Sequence, residues 1–161
     1  MEIQTARLED YKKIASLVKE AFTLSEHGYG NEAELVEKIR QDESYLPELE
    51  IVAKENNTLL GYGLLSKVKV LNTSGKSLTG LVLAPLAVSP SFQGQKIGEK
   101  ILRELETRGK NLGYPFISIL GHPTYYPKFG YVKASTYHIF PPFEVPDEAF
   151  MIKELFPNSL K

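Results

Sequence analysis

The sequence predicts an α/β (α+β) fold with one mixed sheet, in which antiparallel strands come first and a strand-helix-strand unit follows. The chain has 161 residues, of which 42% are apolar and 24% are charged. That is enough for one hydrophobic core and too little for two ordinary domains. Two helical patterns come early, three extended apolar runs occupy the middle, and a further helical pattern lies between two apolar runs. We therefore expect a single domain over residues 1–161.

The first third of the chain predicts a short strand at Ile3 and two helices. In the first helix the apolar residues recur with the period of one helical face. They are Ile14, Leu17, Val18, Ala21 and Phe22. Residues 32–41 predict the second helix. The segment between the helices, residues 23–31, contains Gly28 and Gly30, which interrupt helical structure, so we expect a mobile loop there.

The middle of the chain predicts three antiparallel strands in succession. Residues 49–53 and 59–70 flank the turn Glu55-Asn56-Asn57-Thr58, and Asn tolerates the left-handed dihedral angles that tight hairpins require. A second turn, residues 72–76, leads into an apolar strand over residues 78–88.

The second half predicts a strand-helix-strand unit with parallel strands and a right-handed crossover. The helix is expected over residues 96–112, ending at Gly109 or Gly113, and the second parallel strand over residues 116–120. Nine of the ten prolines lie from Pro85 onward, so we expect the last third to be irregular, with short elements at residues 131–137 and 150–155.

Composition narrows the possible partners and chemistry. Nineteen Lys and Arg residues against twenty Asp and Glu residues leave a formal net charge of -1, which gives no field to hold nucleic acid or an acidic membrane. The absence of Cys excludes disulfides, thiolate metal sites and Cys nucleophiles. The N-terminus has no signal-peptide core, and no apolar run approaches the roughly 18 to 20 residues that span a bilayer. We expect a cytoplasmic protein.

Pro85 interrupts an apolar strand, and two interpretations remain open. Proline cannot donate to a sheet ladder, so it indicates either a bulge or an edge strand. A bulge would splay this strand from the strand at residues 116–120 and leave backbone groups for an extended ligand.

The turn from Gln93 to Gly98 lies between that strand and its helix. Free N–H groups and the helix dipole converge at such a turn, which can bind phosphate without a basic surface. The turn matches neither the dinucleotide-binding nor the Walker pattern, and an ordinary strand-to-helix turn is the alternative.

A third feature, residues 122–131, follows the second parallel strand, at the sheet end where ligands of open α/β sheets bind. Tyr125 or Tyr126 could present a phenol there as a proton donor. The alternative is that one or both tyrosines are packing residues.

These features together resemble a known family. The segment LAVSPSFQGQKIGEKIL, residues 86–102, is similar to the acetyl-CoA motif of the GNAT N-acetyltransferase superfamily, and YYPKFGY, residues 125–131, is similar to its later F-Y-x-x-x-G-F signature. More narrowly, residues 120–131 and 145–151 resemble the small bacterial YhbS-like predicted acetyltransferases. The resemblance implies a GNAT-like sheet of six to seven strands, mostly antiparallel with a splayed parallel pair at the cofactor cleft, flanked by about four helices.

The resemblance also implies direct transfer of acetyl from acetyl-CoA to an amine within a ternary complex, without a metal. It makes Tyr126 the acid that protonates the leaving thiolate. The implied cofactor-binding residues are Leu86, Ala87, Val88, Gln93, Gly94, Gln95, Lys96, Ile97, Gly98 and Glu99. Lys96 stands where the motif usually has Gly, and we expect it to keep helical dihedral angles and to place a cation near the pyrophosphate.

The acceptor side is less defined. Glu26 and His27, in the loop after the first helix, and His122 are candidate substrate residues by position, and the general base stays unassigned. We expect acetyl-CoA and an amine as partners, no nucleic acid or membrane, and a monomer or homodimer. The alternative function is a noncatalytic acyl-CoA-binding or sensing module on the same fold.

Overall fold

A computed structural model describes residues 1–25, 28–71 and 75–160. The helices of this described part are α1 (Tyr11–Thr23), α2 (Glu32–Arg40) and α3 (Ile97–Asn111). The strands are β1 (Glu2–Thr5), β2 (Tyr45–Glu55), β3 (Thr58–Leu71), β4 (Ser77–Val88), β5 (Phe116–Leu120), β6 (Val132–Lys133) and β7 (Phe150–Glu154). Short 3-10 turns supplement them, so the described residues contain three α-helices where about four were expected.

The strands form one mixed sheet in the order β1-β2-β3-β4-β5-β7-β6. The ladders β1·β2, β2·β3, β5·β7 and β6·β7 are antiparallel, and β4·β5 is parallel. The predicted fold class, a mostly antiparallel sheet with one parallel pair, is therefore confirmed. Asn56 and Asn57 have φ angles of 50° and 67°, so the first hairpin uses left-handed asparagines as predicted.

Pro85 does not lie in an edge strand, because β4 stands between β3 and β5 in the sheet order. The edge-strand interpretation is therefore wrong. The described parallel ladder pairs Leu81 with Ile117, Val82 with Ser118 and Leu83 with Ile119, and it stops two residues before the proline. Pro85 thus sits where its missing N–H removes none of these ladder bonds.

The chain divides into two compact units, of which the first contains residues 1–66 and 84–108. Its core forms where the apolar faces of α1 and α2 pack on β2 and β3, around Ile14, Val18, Val36 and Tyr62. A buried carboxylate anchors the start of α1. Lys54 Nζ lies 2.5 Å from Asp10 Oδ1, and the backbone N–H of Arg7 donates to Asp10 Oδ2 at 2.9 Å.

The second unit contains residues 67–83 and the chain from Gly109 onward. Its core centres on Phe116, Ala134 and Ile152, which are fully buried. A close approach of backbone to side chain occurs at Gly80, where an added Cβ would lie 2.4 Å from the ring of Phe116. The helix α3 continues past Gly109, and Gly113, with a φ of 89°, follows its end.

None of the described helices combines the length and the apolar character needed to cross a bilayer.

Candidate functional site

The turn that precedes α3 belongs to the first unit. After β4 the N–H of Ser89 donates to Leu60 O at 2.8 Å, and a 3-10 turn, Pro90–Phe92, closes with Phe92 N–H to Ser89 O at 2.9 Å. The next four residues, 93–96, are exposed, whereas Ile97 and Gly98 are buried at the start of α3. The backbone of residues 93–96 is therefore presented to solvent directly before a 15-residue helix.

Two residues of this turn have left-handed backbone angles. Gly94 has a φ of 85° and Lys96 a φ of 63°. The expectation that Lys96 keeps helical angles is therefore wrong. The chain needs the left-handed conformation at Lys96 to change from the extended turn into the helix. Lys96 O already accepts the first helical bond, from Lys100 N–H at 3.1 Å. A non-glycine residue pays about 1 kcal/mol or more to occupy this region.

The turn fits a phosphate group. The N–H groups of the first helical turn, at Ile97, Gly98 and Glu99, have no acceptor inside the helix, and the helix dipole adds positive potential there. A Cβ added at Gly94 would meet no atom within 4 Å, so the space beside this backbone is open. Backbone donors of this kind hold pyrophosphate without a basic surface.

Two glycines of β3 set the position of α3. A Cβ at Gly61 would lie 2.6 Å from Ile101 Cδ1, and one at Gly63 would lie 2.7 Å from Ile101 Cγ2 and 2.8 Å from Leu105 Cδ1. The helix thus packs directly on the strand backbone. Its N-terminal turn is fixed by this contact rather than by the loop alone.

The end of β4 alternates in burial. Ala87 is buried in the core that contains α1 and α2, while Leu86 and Val88 are partly exposed. The three residues predicted to pair with the cofactor arm are therefore held in extended conformation by packing of the middle one.

Tyr126 lies in the second unit, at the start of the 3-10 turn Tyr126–Phe129 that follows β5. Its ring packs edge-to-face on Tyr125 and Tyr131, with centroid distances of 5.0 and 5.9 Å. A Cβ added at Gly121 would lie 2.5 Å from Tyr126 Cε2, so Gly121 makes room for the ring. The three neighbours hold the phenol in one orientation.

The Tyr126 hydroxyl makes no hydrogen bond among the described residues. No buried polar side-chain atom in that part of the chain lacks a partner, so this hydroxyl reaches solvent although its ring is packed. Burial, with a smaller contribution from Tyr125, raises the pKa of Tyr126 well above its ordinary value. The phenol is therefore protonated at neutral pH and available to a ligand.

Of the three residues predicted to contact the substrate, the structure describes one, His122. His122 is exposed in the turn after β5, with Nδ1 3.2 Å from Thr124 Oγ1. Glu26 and His27 lie outside the described residues.

A buried carboxylate, Glu50 of β2, escaped the sequence analysis. Arg40 Nη2 and the Tyr62 hydroxyl donate to its Oε2 at 2.6 and 2.7 Å, and the Tyr45 hydroxyl donates to its Oε1 at 2.6 Å. The Arg40 guanidinium also lies 3.5 Å from the ring centroid of Tyr11. The available signal was a Glu inside an apolar run. Because its carboxylate is fully bonded, this cluster ties α2 to β2 and β3 and does not offer a substrate site.

The structure has the mixed sheet, the glycine-containing turn before α3 and the tyrosine pair after β5 that the resemblance to acetyltransferases implies. The chain belongs to the acetyltransferase (GNAT) family, whose family model matches residues 11–131. The predicted family is therefore confirmed.

Two relatives and two solved structures illustrate this membership. The chain is 31% identical over 138 residues to the uncharacterized N-acetyltransferase YjhQ of Escherichia coli K12, covering 85% of this chain and 75% of the relative. It is 27% identical over 129 residues to the uncharacterized N-acetyltransferase YhbS of the same strain, covering 80% and 75%.

The crystal structure of Escherichia coli YhbS in complex with CoA superimposes with a TM-score of 0.86 at 27% identity, covering 99% of this chain and 83% of that one. A GNAT family acetyltransferase from Brucella melitensis, solved in complex with acetyl-CoA, has a TM-score of 0.76 at 24% identity, covering 97% and 88%, and supports the fold. The predicted YhbS-like branch is therefore confirmed.

Proposed function

We propose that the chain is an N-acetyltransferase that moves acetyl from acetyl-CoA directly to a primary amine of a small molecule or protein within a ternary complex. Membership of the family and the CoA complex of YhbS support this assignment. The observation that carries it is the Tyr126 phenol, which is packed on three sides and has no hydrogen bond within the described chain. We include in the proposal a single cytoplasmic domain, acting as a monomer or homodimer without a metal.

The cofactor would be held mainly by backbone. Leu86, Ala87 and Val88 would pair with the pantetheine arm as an added strand does, and the Val88 N–H would polarise the thioester carbonyl. The turn over residues 93–99 would bind the pyrophosphate through N–H groups. This turn consists of Gln93, Gly94, Gln95, Lys96, Ile97, Gly98 and Glu99.

Tyr126 would act when the amine attacks. As the C–N bond forms and the C–S bond breaks, the phenol delivers its proton to the departing sulfur, and solvent then returns a proton to the phenolate. A thiol near pKa 8.5 is a stronger acid than a phenol, so this proton transfer is uphill. Contact between the phenol and the sulfur offsets the difference, because the proton moves while the C–S bond is breaking and charge is building on the sulfur. The proton lost by the amine passes to a base or to water.

The test has two arms that use matched variants. Acetyl-CoA should raise the melting temperature of the parent protein. Gly94→Asp, which places a carboxylate at the phosphate turn, should abolish the rise, while the uncharged Gly94→Asn, which tolerates the same φ, should keep much of it. No rise in the parent protein would remove the cofactor assignment.

In the second arm, Tyr126→Phe should lower turnover about ten-fold or more and leave the acetyl-CoA-induced rise intact. Tyr125→Phe is the control and should lower turnover much less. Equal turnover of Tyr126→Phe and the parent would remove Tyr126 from the chemistry. If the parent binds acetyl-CoA but releases no thiol with any amine of a panel, the chain is a noncatalytic module.

A further inference from the structure

A cavity of about 580 Å³ lies within the first unit, between α1, the turn from β2 to β3 and the 3-10 turn Pro90–Phe92. Part of its lining is apolar, from Leu17, Leu59 and Phe92, and the other lining residues are polar or charged. Sites for small organic ligands have volumes of roughly 300 to 1,000 Å³ and combine apolar surface with a few placed polar groups. Among the described residues, none of those proposed to hold acetyl-CoA lines this cavity, so it is a separate candidate site.

Ser89 presents a hydroxyl to this cavity. The residue is only 9% exposed and lines the cavity, and its hydroxyl makes no hydrogen bond within the described part of the chain. No fully buried polar side-chain atom in that part lacks a partner, so the hydroxyl reaches the cavity. The backbone holds it in place, because the Ser89 N–H donates to Leu60 O at 2.8 Å and Ser89 O accepts from the Phe92 N–H at 2.9 Å. A hydroxyl that is almost buried, fixed and unpaired gains a hydrogen bond when a polar ligand enters.

Two lysines make one end of the cavity positive. Lys12 and Lys13 line it, and neither forms an ion pair within the described residues. Lys13 Nζ donates to the backbone oxygen of Asn57 at 3.0 Å, which holds this ammonium group against the turn from β2 to β3. A phosphate monoester carries about -1.5 to -2 charges at neutral pH and three acceptor oxygens. Two neighbouring ammonium groups therefore attract a phosphate more strongly than the single charge of a carboxylate.

The cavity has the opposite charge farther along α1. Glu20, which also lines it, lies seven residues from Lys13, which is about two turns or roughly 10 Å along the helix. A carboxylate there repels a second anionic group and accepts hydrogen bonds from hydroxyls. Ser16, Thr58 and Ser91 add hydroxyls that both donate and accept. The lining therefore favours a ligand with one phosphate and several hydroxyl groups.

We propose that this cavity binds a sugar phosphate, whose phosphate group lies at Lys12 and Lys13 and whose hydroxyl groups bond to the polar lining, Ser89 included. The apolar faces of the sugar ring pack on the apolar part of the lining. The site goes beyond the proposed function, because no step of the acetyl transfer uses it. It adjoins the cofactor site along the chain, since the 3-10 turn that lines it leads directly into the phosphate turn at Gln93.

The experiment is a calorimetric titration of the full chain without acetyl-CoA or amine, so its result does not depend on the transfer reaction. The probes are glucose 6-phosphate, glucose, inorganic phosphate and glucose 1,6-bisphosphate. We expect glucose 6-phosphate to bind about ten-fold or more tighter than glucose or inorganic phosphate, because each of these lacks one half of the contacts. The bisphosphate should bind about ten-fold more weakly than glucose 6-phosphate, because its second phosphate meets Glu20.

Variants of the lining test the role of each group. Lys12→Gln should weaken glucose 6-phosphate about ten-fold, and Ser89→Ala should weaken it about three- to ten-fold through loss of one hydrogen bond. Glu20→Gln should narrow the difference between glucose 6-phosphate and the bisphosphate. The matched control is Lys19→Gln, because Lys19 is an exposed lysine of the same helix and does not line the cavity. It should leave the affinity unchanged.

The phosphate turn is the competing site for these probes, and Gly94→Asp separates the two. Binding of glucose 6-phosphate that persists in Gly94→Asp and weakens in Lys12→Gln and Ser89→Ala supports the cavity. Binding that Gly94→Asp removes and the cavity variants keep assigns the probe to the phosphate turn and overturns the inference.

The remaining outcomes also decide. Absence of binding to the folded parent overturns the inference, and so does equal weakening by Lys12→Gln and Lys19→Gln, which would show attraction to the helix surface in general. Inorganic phosphate or glucose that binds as tightly as glucose 6-phosphate, or a bisphosphate that binds equally well, overturns the ligand class.

Discussion

Gly121 offers a way to move the Tyr126 phenol without touching its chemistry. Gly121→Ala adds one methyl group, and this Cβ would lie 2.5 Å from Cε2 and 3.1 Å from Cδ2 of the Tyr126 ring. Ordinary van der Waals contact begins near 3.4 Å. The ring or the backbone must therefore move by about 0.9 Å, and Tyr125 and Tyr131 oppose any sideways shift of the ring.

The size of the effect follows from this displacement. Misplacing a catalytic group by about 1 Å can cost about 100-fold in rate. We expect Gly121→Ala to lower kcat about 10- to 100-fold with KM for acetyl-CoA unchanged. The overpacked site should also cost about 1 to 3 kcal/mol of folding stability, which urea unfolding would measure.

The decisive control is the same substitution in a Tyr126→Phe background. The ring is still present there, so the loss of stability should persist. The hydroxyl is absent, so its position can no longer matter and the further loss in kcat should vanish. A kcat loss of the same size in both backgrounds, or a folded Gly121→Ala protein with the kcat of the parent, would refute the role of Gly121 in positioning Tyr126.

Two further predictions concern the turn and the buried carboxylate. The free energy of unfolding of Lys96→Gly should be about 1 kcal/mol higher than that of Lys96→Ala. Both variants lack the ammonium group, and only glycine relieves the strain of the positive φ. Equal urea midpoints for the two variants would contradict this prediction. Burial alone would raise the pKa of Asp10, but the bonds from Lys54 and from the Arg7 backbone outweigh it and hold the pKa below its ordinary value. Its contribution to stability is therefore complete above the unfolded pKa of about 3.9 and is lost as pH falls through the folded pKa. Asp10→Asn should lower the free energy of unfolding by about 1 to 3 kcal/mol at pH 7. It should also reduce the loss of stability that the parent protein shows as the pH falls into the acid range. A variant that loses stability with falling pH as the parent does would exclude Asp10 as the cause of that loss.

Elements with a regular apolar period could be predicted from the sequence almost to the residue. The strand at Phe116–Leu120 agrees with its predicted bounds, and α3 differs from its prediction by one residue at each end. In these elements local spacing alone determines which face is buried. The start of β2 could not be predicted this way: it begins at Tyr45, four residues early, and its register shifts between Tyr45 and Glu50. Such a shift breaks the alternation on which strand prediction depends.

Features that depend on contacts far along the chain were missed for a different reason. Glu50 takes hydrogen bonds from Arg40, Tyr45 and Tyr62, which lie ten, five and twelve residues away. No short pattern encodes that arrangement. The left-handed φ of Lys96 was missed because a charged side chain gives no sign of the backbone angle that the strand-to-helix turn imposes.

Residue type does not show which tyrosine can donate a proton to a ligand, and the hydrogen bonds of the structure distinguish between them. The Tyr45 and Tyr62 hydroxyls donate to Glu50, Tyr137 donates to Glu154 and Tyr29 donates to Glu34. A phenol bonded to a carboxylate has its proton already engaged, so it must break that bond before it can protonate anything else. Tyr126 is different: packing against Gly121 fixes its ring, and its hydroxyl carries no such bond among the described residues. A proton donor needs both a rigid ring and a free hydroxyl, and a ring that is held by packing against Gly121 and two aromatic rings, rather than by a hydrogen bond, provides them together.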